Sequence, residues 1–182
     1  AFWDGRQLWS RRGKVWNAPA WFLAQLPPDL PLDGELWIGR GQFEYTSGVC
    51  RSSRQDDWER VQYMVFDTPG WPDEPVEARW DRLRTHFTSL SSDEMQTPPS
   101  VRHLGLLTQS AGVYFVEQVQ CTGQAHLDAV LQHVLECGGE GYVDDSHQRH
   151  APPPCVIVRV PAQHGAVQAQ ADARRRGACA GL

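Results

Sequence analysis

The sequence predicts a mixed α+β domain over residues 1–141, with antiparallel sheets flanked by helices. Apolar runs with strand or helix periodicity alternate with turn signals throughout this part of the chain. All eight tryptophans lie between Trp3 and Trp80. At 182 residues and 41% hydrophobic content, the chain is long enough for one domain with a substantial core.

The first half of this domain begins with a predicted hairpin. In AFWDGRQLWS, the Asp4-Gly5 pair is a strong turn signal between two short strands. Pro19 then begins an amphipathic helix, PAWFLAQL, which two following prolines end. We predict that the strand LDGELWIG comes next, followed by a looped segment rich in Gly and Ser.

The second half of the domain continues the alternation of strands and helices. The stretch EPVEARWDRLRTHFTSL has apolar residues at helical spacing, with Pro75 near its first turn. Before it we predict a short helix around DDWERV and a buried strand VQYMVFD. After it we predict strands around VRHLGLLTQ and in GVYFVEQVQ, and then a helix AHLDAVLQHVLE ended by Gly138 and Gly139.

Residues 142–182 have a different composition. They contain no Glu, Lys, Phe or Trp, and they include three consecutive prolines and the low-diversity stretch QAQADARRRGACAG. Such a segment buries too little apolar surface to offset the entropy lost on ordering. We therefore predict a poorly ordered tail over 142–182.

Composition excludes several classes of protein. The net charge of −5 is not that of a strongly basic nucleic-acid binder, although 17 Lys and Arg residues allow a local basic face. No apolar run approaches the roughly 20 residues needed to cross a bilayer, so no membrane partner is expected. The five cysteines form no Cys-x-x-Cys pair, which favours reduced thiols over a disulfide framework. The single lysine, Lys14, lies in a predicted turn.

Four motifs carry residue types suited to nucleotide chemistry. Asp33-Gly34-Glu35 is predicted to form a turn at the mouth of a strand, which places Glu35 on a rigid element beside a cleft. Phe66 ends a buried strand and can stack its ring on a base. Glu140, in GGEG, can add a second carboxylate for Mg²⁺. Arg11, in SRRG, can contact phosphate or ribose.

Each motif also has a simpler structural interpretation. Asp33-Gly34-Glu35 can be an acidic surface turn, Phe66 a core phenylalanine, Glu140 part of a surface turn and SRRG a solvated basic turn. Their order and spacing favour function. The succession SRRG, LDGELWIGRGQFE, YMVFD and GGEG resembles the nucleotidyltransferase domain of ATP-dependent DNA ligases, in particular the small bacterial type. The resemblance covers residues 1–141.

The resemblance implies a nucleotidyltransferase (ATP-grasp-like) core that is incomplete at both ends. It implies that Arg11 contacts the bound nucleotide, Glu35 the ribose or a metal, Phe66 the adenine ring and Glu140 the metal. The implied cofactors are ATP and Mg²⁺, and the implied partner is nicked double-stranded DNA bound by a monomer. A bacterial protein is implied, with its location in the cytoplasm or the periplasm left open.

The chain departs from the family at two places. In these ligases a Lys-x-Asp-Gly-x-Arg motif, which carries the nucleophile, directly precedes a strand similar to AFWDG. The nucleophile lysine is therefore expected upstream of Ala1, Lys14 does not replace it, and the chain as given is expected to be inactive. After Gly141, moreover, the family continues with an apolar strand and a Lys-x-Lys motif, which GYVDDSHQRHAPPP does not match.

A shifted reading frame accounts for the second departure. When the last two bases of each codon are read with the first base of the next, Gln168-Ala169 and Gln170-Ala171 each encode Lys or Arg, whichever codons are used. The shifted frame permits YKLKPTLDAEA, which resembles the Lys-x-Lys motif of the ligases. We therefore predict a domain fragment over 1–141 and a frameshifted tail over 142–182.

Two other functions remain open from the sequence. An RNA ligase or mRNA capping enzyme uses the same nucleotidyl transfer, although LDGELWIGRGQFE resembles the DNA ligases more closely. The second is a noncatalytic nucleotide-binding or DNA-binding remnant. A covalent AMP adduct would separate the enzymes from the binder.

Overall fold

The computed structural model describes residues 1–71, 73–90, 108–110, 112–116, 118–120, 122–136, 141–144 and 156–159. Its helices are α1 (Ala20–Leu23), α2 (Phe43–Arg51), α3 (Val76–Leu90) and α4 (Gln124–Glu136), with one 3-10 turn at Trp58–Arg60. Its strands are β1 (Phe2–Trp3), β2 (Leu8–Trp9), β3 (Leu32–Trp37), β4 (Gln62–Asp67), β5 (Thr108–Ser110), β6 (Val113–Phe115), β7 (Gln118–Gln120), β8 (Tyr142–Asp144) and β9 (Val156–Arg159).

Six strands form the main sheet, in the order β2-β1-β3-β4-β6-β5. All neighbouring pairs are antiparallel except β4 and β6, which are parallel. The prediction of purely antiparallel sheets is therefore wrong at this pair. The reason is that both α3 and β5 lie between the two strands in the chain, and β6 follows β5 in the opposite direction, which is the direction of β4. The mixed α and β class is confirmed.

The opening hairpin forms as predicted, with Phe2 opposite Trp9 and Trp3 opposite Leu8. Asp4 closes its turn, because one carboxylate oxygen accepts hydrogen bonds from the backbone N–H groups of Arg6 at 2.8 Å and Gln7 at 2.7 Å. The other accepts one from the Trp9 indole at 2.6 Å. These bonds, chiefly the one from Gln7, lower the pKa of Asp4. The Asp4-Gly5 pair is thus structural.

The segment Asp33-Gly34-Glu35 is not a turn. It lies within β3, which pairs with β4 on one side and with β1 on the other. An irregularity between Asp33 and Gly34 shifts the register with β4 at this point. Pairing on both edges overrides the local turn preference of Asp-Gly, because the strand's backbone hydrogen bonds are satisfied by its neighbours.

The segment predicted as a loop after β3 contains the helix α2. Its buried residues Thr46, Val49 and Cys50 have helical spacing, and Cys50 packs in the core with 1% of its surface exposed. Burial raises the pKa of the Cys50 thiol to about 12. The thiol is therefore protonated at neutral pH and does not act as a nucleophile.

The remaining helices of the domain were predicted correctly, although α1 is shorter than its sequence pattern. Pro19 precedes α1, and α3 begins directly after Pro75. The core between helices and main sheet is rich in large side chains with at most 2% exposure, among them Trp37, Trp58, Tyr63, Tyr114 and Phe87. In the part of the chain that the structure describes, no helix has the length and apolarity to cross a bilayer.

A second sheet has the order β7-β9-β8, with antiparallel pairs. The single strand predicted in GVYFVEQVQ is divided between the two sheets, as β6 and β7. Strands β8 and β9 fall in the predicted tail, 142–182, and the rest of that tail lies outside the described residues, as do Gly138, Gly139 and most of the strand predicted around VRHLGLLTQ.

Candidate functional site

A cleft of about 700 Å³ opens where the first hairpin meets β3 and β4. Clefts of 300–1,000 Å³ are typical of small-molecule sites. Four stretches of chain build the wall, and all lie within the first 66 residues. The lining residues are Ala1, Phe2, Trp9, Ser10, Arg11, Gly13, Asp33, Gly34 and Phe66.

Arg11 reaches this cleft from the turn that follows β2. The turn is closed by a hydrogen bond of 2.7 Å from the Ser10 backbone N–H to the Lys14 carbonyl, and by one of 2.9 Å from the Gly13 N–H to the Ser10 carbonyl. Arg11 is exposed, and no carboxylate within the described ranges forms an ion pair with it. Its guanidinium is therefore available to an anionic ligand. Lys14, at the end of the same turn, does not line the cleft.

Phe66 lines the cleft from the end of β4. Its side chain is half-buried, since it packs against the core on one side. The backbone at Phe66 is anchored to α3, because the Trp80 indole in that helix donates a hydrogen bond of 3.1 Å to the Phe66 carbonyl. An aromatic ring fixed in this way at a cleft wall can stack on a planar ligand.

Two carboxylates of β3 lie on the hairpin side of the cleft. Asp33 is part of the wall, whereas Glu35 is not among the lining residues. Burial lowers the pKa of the Ala1 amino group. The negative charges of Asp33 and, to a smaller extent, Glu35 act in the opposite direction and raise that pKa. Both carboxylates therefore lie close to the start of β1.

Asp33 is electrostatically unfavourable as an anion. Burial raises the pKa of the Asp33 carboxyl. The Ala1 amino group and the hydrogen bond from the Gly34 N–H lower this pKa, and the nearby Asp67 carboxylate raises it further. The Gly34 N–H donates to Asp33 Oδ1 at 3.0 Å. A buried carboxylate of this kind gains most from a bound cation, since a cation removes the unfavourable field.

Seven of the nine lining residues were not among the candidate site residues: Ala1, Phe2, Trp9, Ser10, Gly13, Asp33 and Gly34. Phe2 and Trp9 are directly opposite each other in the hairpin, which places both side chains on one face. The alternation of Phe2 with the buried Trp3 is a signal for this in the sequence. Asp33 belongs to the predicted Asp33-Gly34-Glu35 motif, but a turn at this motif would place Glu35, and not Asp33, beside the cleft.

The structure does not test Glu140, which lies outside the described residues. Within the described ranges, no group of three or more His, Cys, Asp or Glu side chains could hold a metal ion. Mg²⁺, however, usually keeps several waters and binds through one or two carboxylates plus substrate phosphates. Asp33, which lines the cleft, fits that smaller requirement, whereas Glu35 lies in the same strand without lining the cleft.

A second groove, of about 930 Å³, lies between α3 and the segment that follows α1. Its lining includes Pro27, Leu30, Trp71 and Ala78, and none of the four candidate residues. It is the larger of the two, and charged side chains, among them Glu74, Asp81 and Arg82, also line it. We place the functional site in the smaller cleft, because Arg11 and Phe66, which the sequence singles out, line it.

Comparison with known proteins identifies the family. Over 142 residues the chain is 30% identical to a DNA ligase of Haemophilus influenzae, a match that covers 78% of this chain and 46% of the relative. It also matches a solved structure of a Lig E DNA ligase with 31% identity and a TM-score of 0.60. The chain belongs to the bacterial DNA ligases. No protein-family model matches it.

The match has a defined extent. The Lig E similarity covers 78% of this chain and 48% of the solved one, so the chain spans about half the length of its ligase relatives. The work on that structure describes DNA binding with a minimal scaffold. The predicted family assignment is thus confirmed, and the activity of a complete ligase is treated below as a proposal.

Proposed function

We propose that the chain forms the nucleotide-binding part of a bacterial ATP-dependent DNA ligase, with a nucleotidyltransferase core. ATP binds in the smaller cleft, with its adenine against the Phe66 ring and its phosphates near Arg11. Glu35, to which the family resemblance assigns contact with the ribose or a metal ion, lies in the same strand as the cleft residue Asp33. The observation that carries the proposal is the convergence of Phe66, Arg11 and Asp33 on one cleft, in a chain related to DNA ligases.

For the whole protein we propose the reaction that the resemblance to ATP-dependent DNA ligases implies. A lysine Nζ, after loss of a proton, attacks the α-phosphorus of ATP, so that an N–P bond forms, the bond to the bridging oxygen breaks and pyrophosphate leaves. The AMP then passes from this lysyl-AMP intermediate to the 5′-phosphate of nicked DNA, and the 3′-hydroxyl displaces it. Lys14 lies outside the cleft wall and is not this nucleophile.

Charge neutralisation is the main task of the cleft residues. Arg11 can hold phosphate oxygens with paired N–H donors. Mg²⁺, when bound by Asp33 and Glu35, supplies Lewis-acid stabilisation of charge that develops on the phosphates. Glu140 is proposed as a further carboxylate for the metal, as the family resemblance implies.

We propose nicked double-stranded DNA as the partner, bound by a monomer. Arg11, Arg12 and Lys14 are exposed on one turn beside the cleft, where a phosphate backbone can approach. Both relatives are DNA ligases, which favours DNA over RNA as the substrate. An RNA ligase or capping-type activity, and a noncatalytic binder, are the alternatives.

The test is adenylation of an extended chain. The 182-residue chain, a version that carries Lys-x-Asp-Gly-x-Arg directly before Ala1, and the same extension with Ala in place of its lysine are incubated with α-labelled ATP and Mg²⁺. We expect a covalent AMP adduct on the lysine extension alone, because Lys14 is not placed for attack. Peptide mapping locates the adduct.

Three outcomes contradict the proposal. An adduct on Lys14 would show that the cleft is wrongly placed. The absence of any adduct on an extended chain that binds ATP would instead support a noncatalytic nucleotide binder. Sealing of nicked RNA but not of nicked DNA by a full-length homologue would favour the RNA-directed alternative.

A further inference from the structure

Arg79, in α3, makes the most buried ion pair among the described residues. Its side chain is 8% exposed and that of its partner Asp67 is 23% exposed. Two parallel hydrogen bonds join them, from Nε to Oδ1 at 2.9 Å and from the terminal guanidinium nitrogen to Oδ2 at 3.0 Å. A third donor binds the Glu74 carbonyl at 2.8 Å. This paired geometry fixes the orientation of the Asp67 carboxylate as well as its charge.

Asp67 is the last residue of β4 and directly follows Phe66. Helix α3 therefore holds two successive residues of the strand, since Trp80 binds the Phe66 carbonyl and Arg79 binds the Asp67 side chain. The chain beyond the strand is also held, because the Thr68 hydroxyl donates to the Pro31 carbonyl at 2.7 Å. The backbone that carries the Phe66 ring is thus fixed from the side opposite the cleft.

The pair also affects the charge of the cleft wall. Asp67 is opposite Asp33 in the pairing of β4 with β3. Asp33 lines the cleft, so an unpaired anion at Asp67 would add repulsion directly behind the wall. The guanidinium of Arg79 neutralises that charge from the helix side.

We propose that Arg79 is a positioning residue of the nucleotide cleft, which holds the end of β4 so that the Phe66 ring presents its face to the base. Arg79 does not line the cleft and acts through Asp67. The inference rests on the proposed function, since it assumes that an adenine ring occupies the cleft.

The chain offers a closely matched control. Arg82 lies three residues later in the same helix and is 49% exposed, and its guanidinium pairs with Glu74, at 2.6 Å, and not with a residue of β4. Its guanidinium also packs over the Trp71 ring. Arg82→Met thus removes the same chemical group from the same helix without releasing the strand.

The experiment compares the full chain with Arg79→Met, Arg79→Lys and Arg82→Met. The probes are 2-aminopurine riboside triphosphate, a fluorescent adenine analogue that is quenched when it stacks, and tripolyphosphate, which has no base. Two quantities are measured: the affinity for each probe, and the emission of the analogue at saturation. The second reports stacking independently of affinity. Circular dichroism confirms that each variant is folded.

We expect the parent chain and Arg82→Met to bind the analogue with quenched emission. In Arg79→Met the bound analogue should be brighter and its affinity about tenfold lower, while tripolyphosphate affinity changes less than about twofold, because only the stacking part of binding is lost. Arg79→Lys should lie between, since lysine keeps the charge but not the paired geometry. If Arg79→Met does not fold, Arg79→Lys decides.

Other results overturn the inference. Emission at saturation in Arg79→Lys equal to that of the parent chain would show that the ring does not depend on Arg79. An equal loss of affinity for both probes would indicate a general structural role. Failure of the parent chain to bind the analogue would contradict the proposed function itself. That result is distinct from normal binding by the parent chain with no effect of the Arg79 substitutions, which would contradict only the role of Arg79.

Discussion

At the scale of single residues, Asp33 shows how the cleft retains a reactive charge. Its carboxyl is half-buried, and burial raises its pKa above the ordinary value of an aspartate. Ionisation of Asp33 is therefore less favourable in the folded chain than in water. A ligand with cationic character at this wall would relieve the cost, which is consistent with a metal-bound nucleotide.

The raised pKa predicts how Asp33→Asn changes stability with pH. Below the pKa of the unfolded chain, the carboxyl is protonated in both states and the variant should match the parent. As pH rises through the higher folded-state pKa, the parent loses stability, because folding then opposes ionisation. The asparagine side chain does not ionise, so the melting temperature of the variant relative to the parent should rise between acid and neutral pH and then stay constant.

Thermal unfolding followed by circular dichroism at a series of pH values measures this difference. The same substitution at the exposed Asp56 controls for the general effect of removing a negative charge. A difference between Asp33→Asn and the parent that is the same in acid as at neutral pH would show that the carboxyl is not strained in the folded chain.

At the scale of elements, the closest approach near the site is between β3 and β4. A Cβ atom on Gly34 would lie 2.6 Å from the Met64 carbonyl oxygen and 2.8 Å from a ring carbon of Tyr63. The Tyr63 hydroxyl meanwhile donates to the carbonyls of Ala1 at 2.7 Å and Leu32 at 3.0 Å. The ring is therefore held at its far end and has little freedom to move away.

Gly34→Ala should accordingly destabilise the chain by about 1–3 kcal/mol, the usual cost of overpacking. Gly48→Ala is the matched control. Gly48 lies in α2 with no atom within 4 Å of the added Cβ, so alanine there should stabilise by about 0.5–1 kcal/mol. Urea unfolding measures both. Equal effects at the two glycines would contradict the close packing of β3 on β4.

Elements with strong local signals were predictable from the sequence. The Asp4-Gly5 hairpin, the apolar strand β4 and the helices α3 and α4 each follow from turn chemistry or periodicity. Helix α2 was missed because Gly48 and neighbouring β-branched residues have low helix propensity. Its buried face, which includes Val49 and Cys50, stabilises it instead, and that face depends on tertiary packing.

Part of the site was also predictable from local sequence patterns. Arg11 and Phe66 were singled out from the sequence, and the structure brings them to one cleft. The predicted strand LDGELWIG contains Asp33 and Gly34, but local patterns could not show that these two residues line the cleft, because that depends on how β3 pairs with β1 and β4. Nor could they show the partnership of Arg79 with Asp67, which lie on different elements.

At the scale of the whole molecule, the residues that line the cleft come from one continuous part of the sequence. Among the described residues, those that line the cleft all lie between positions 1 and 66. The later elements act as support, since α3 packs on the end of β4 and β6 extends the sheet. The chain spans about half the length of its ligase relatives, and the proposed nucleotide cleft lies within that part.

The central claim is that an adenine ring occupies the smaller cleft against Phe66, and proton NMR tests it directly. In a chain with isotopically labelled phenylalanine and tryptophan, saturated with ATP, we expect intermolecular nuclear Overhauser effects between adenine H2 or H8 and the ring protons of Phe66. Effects from adenine to Trp71 in the larger groove, or none to Phe66 at saturation, would contradict the account.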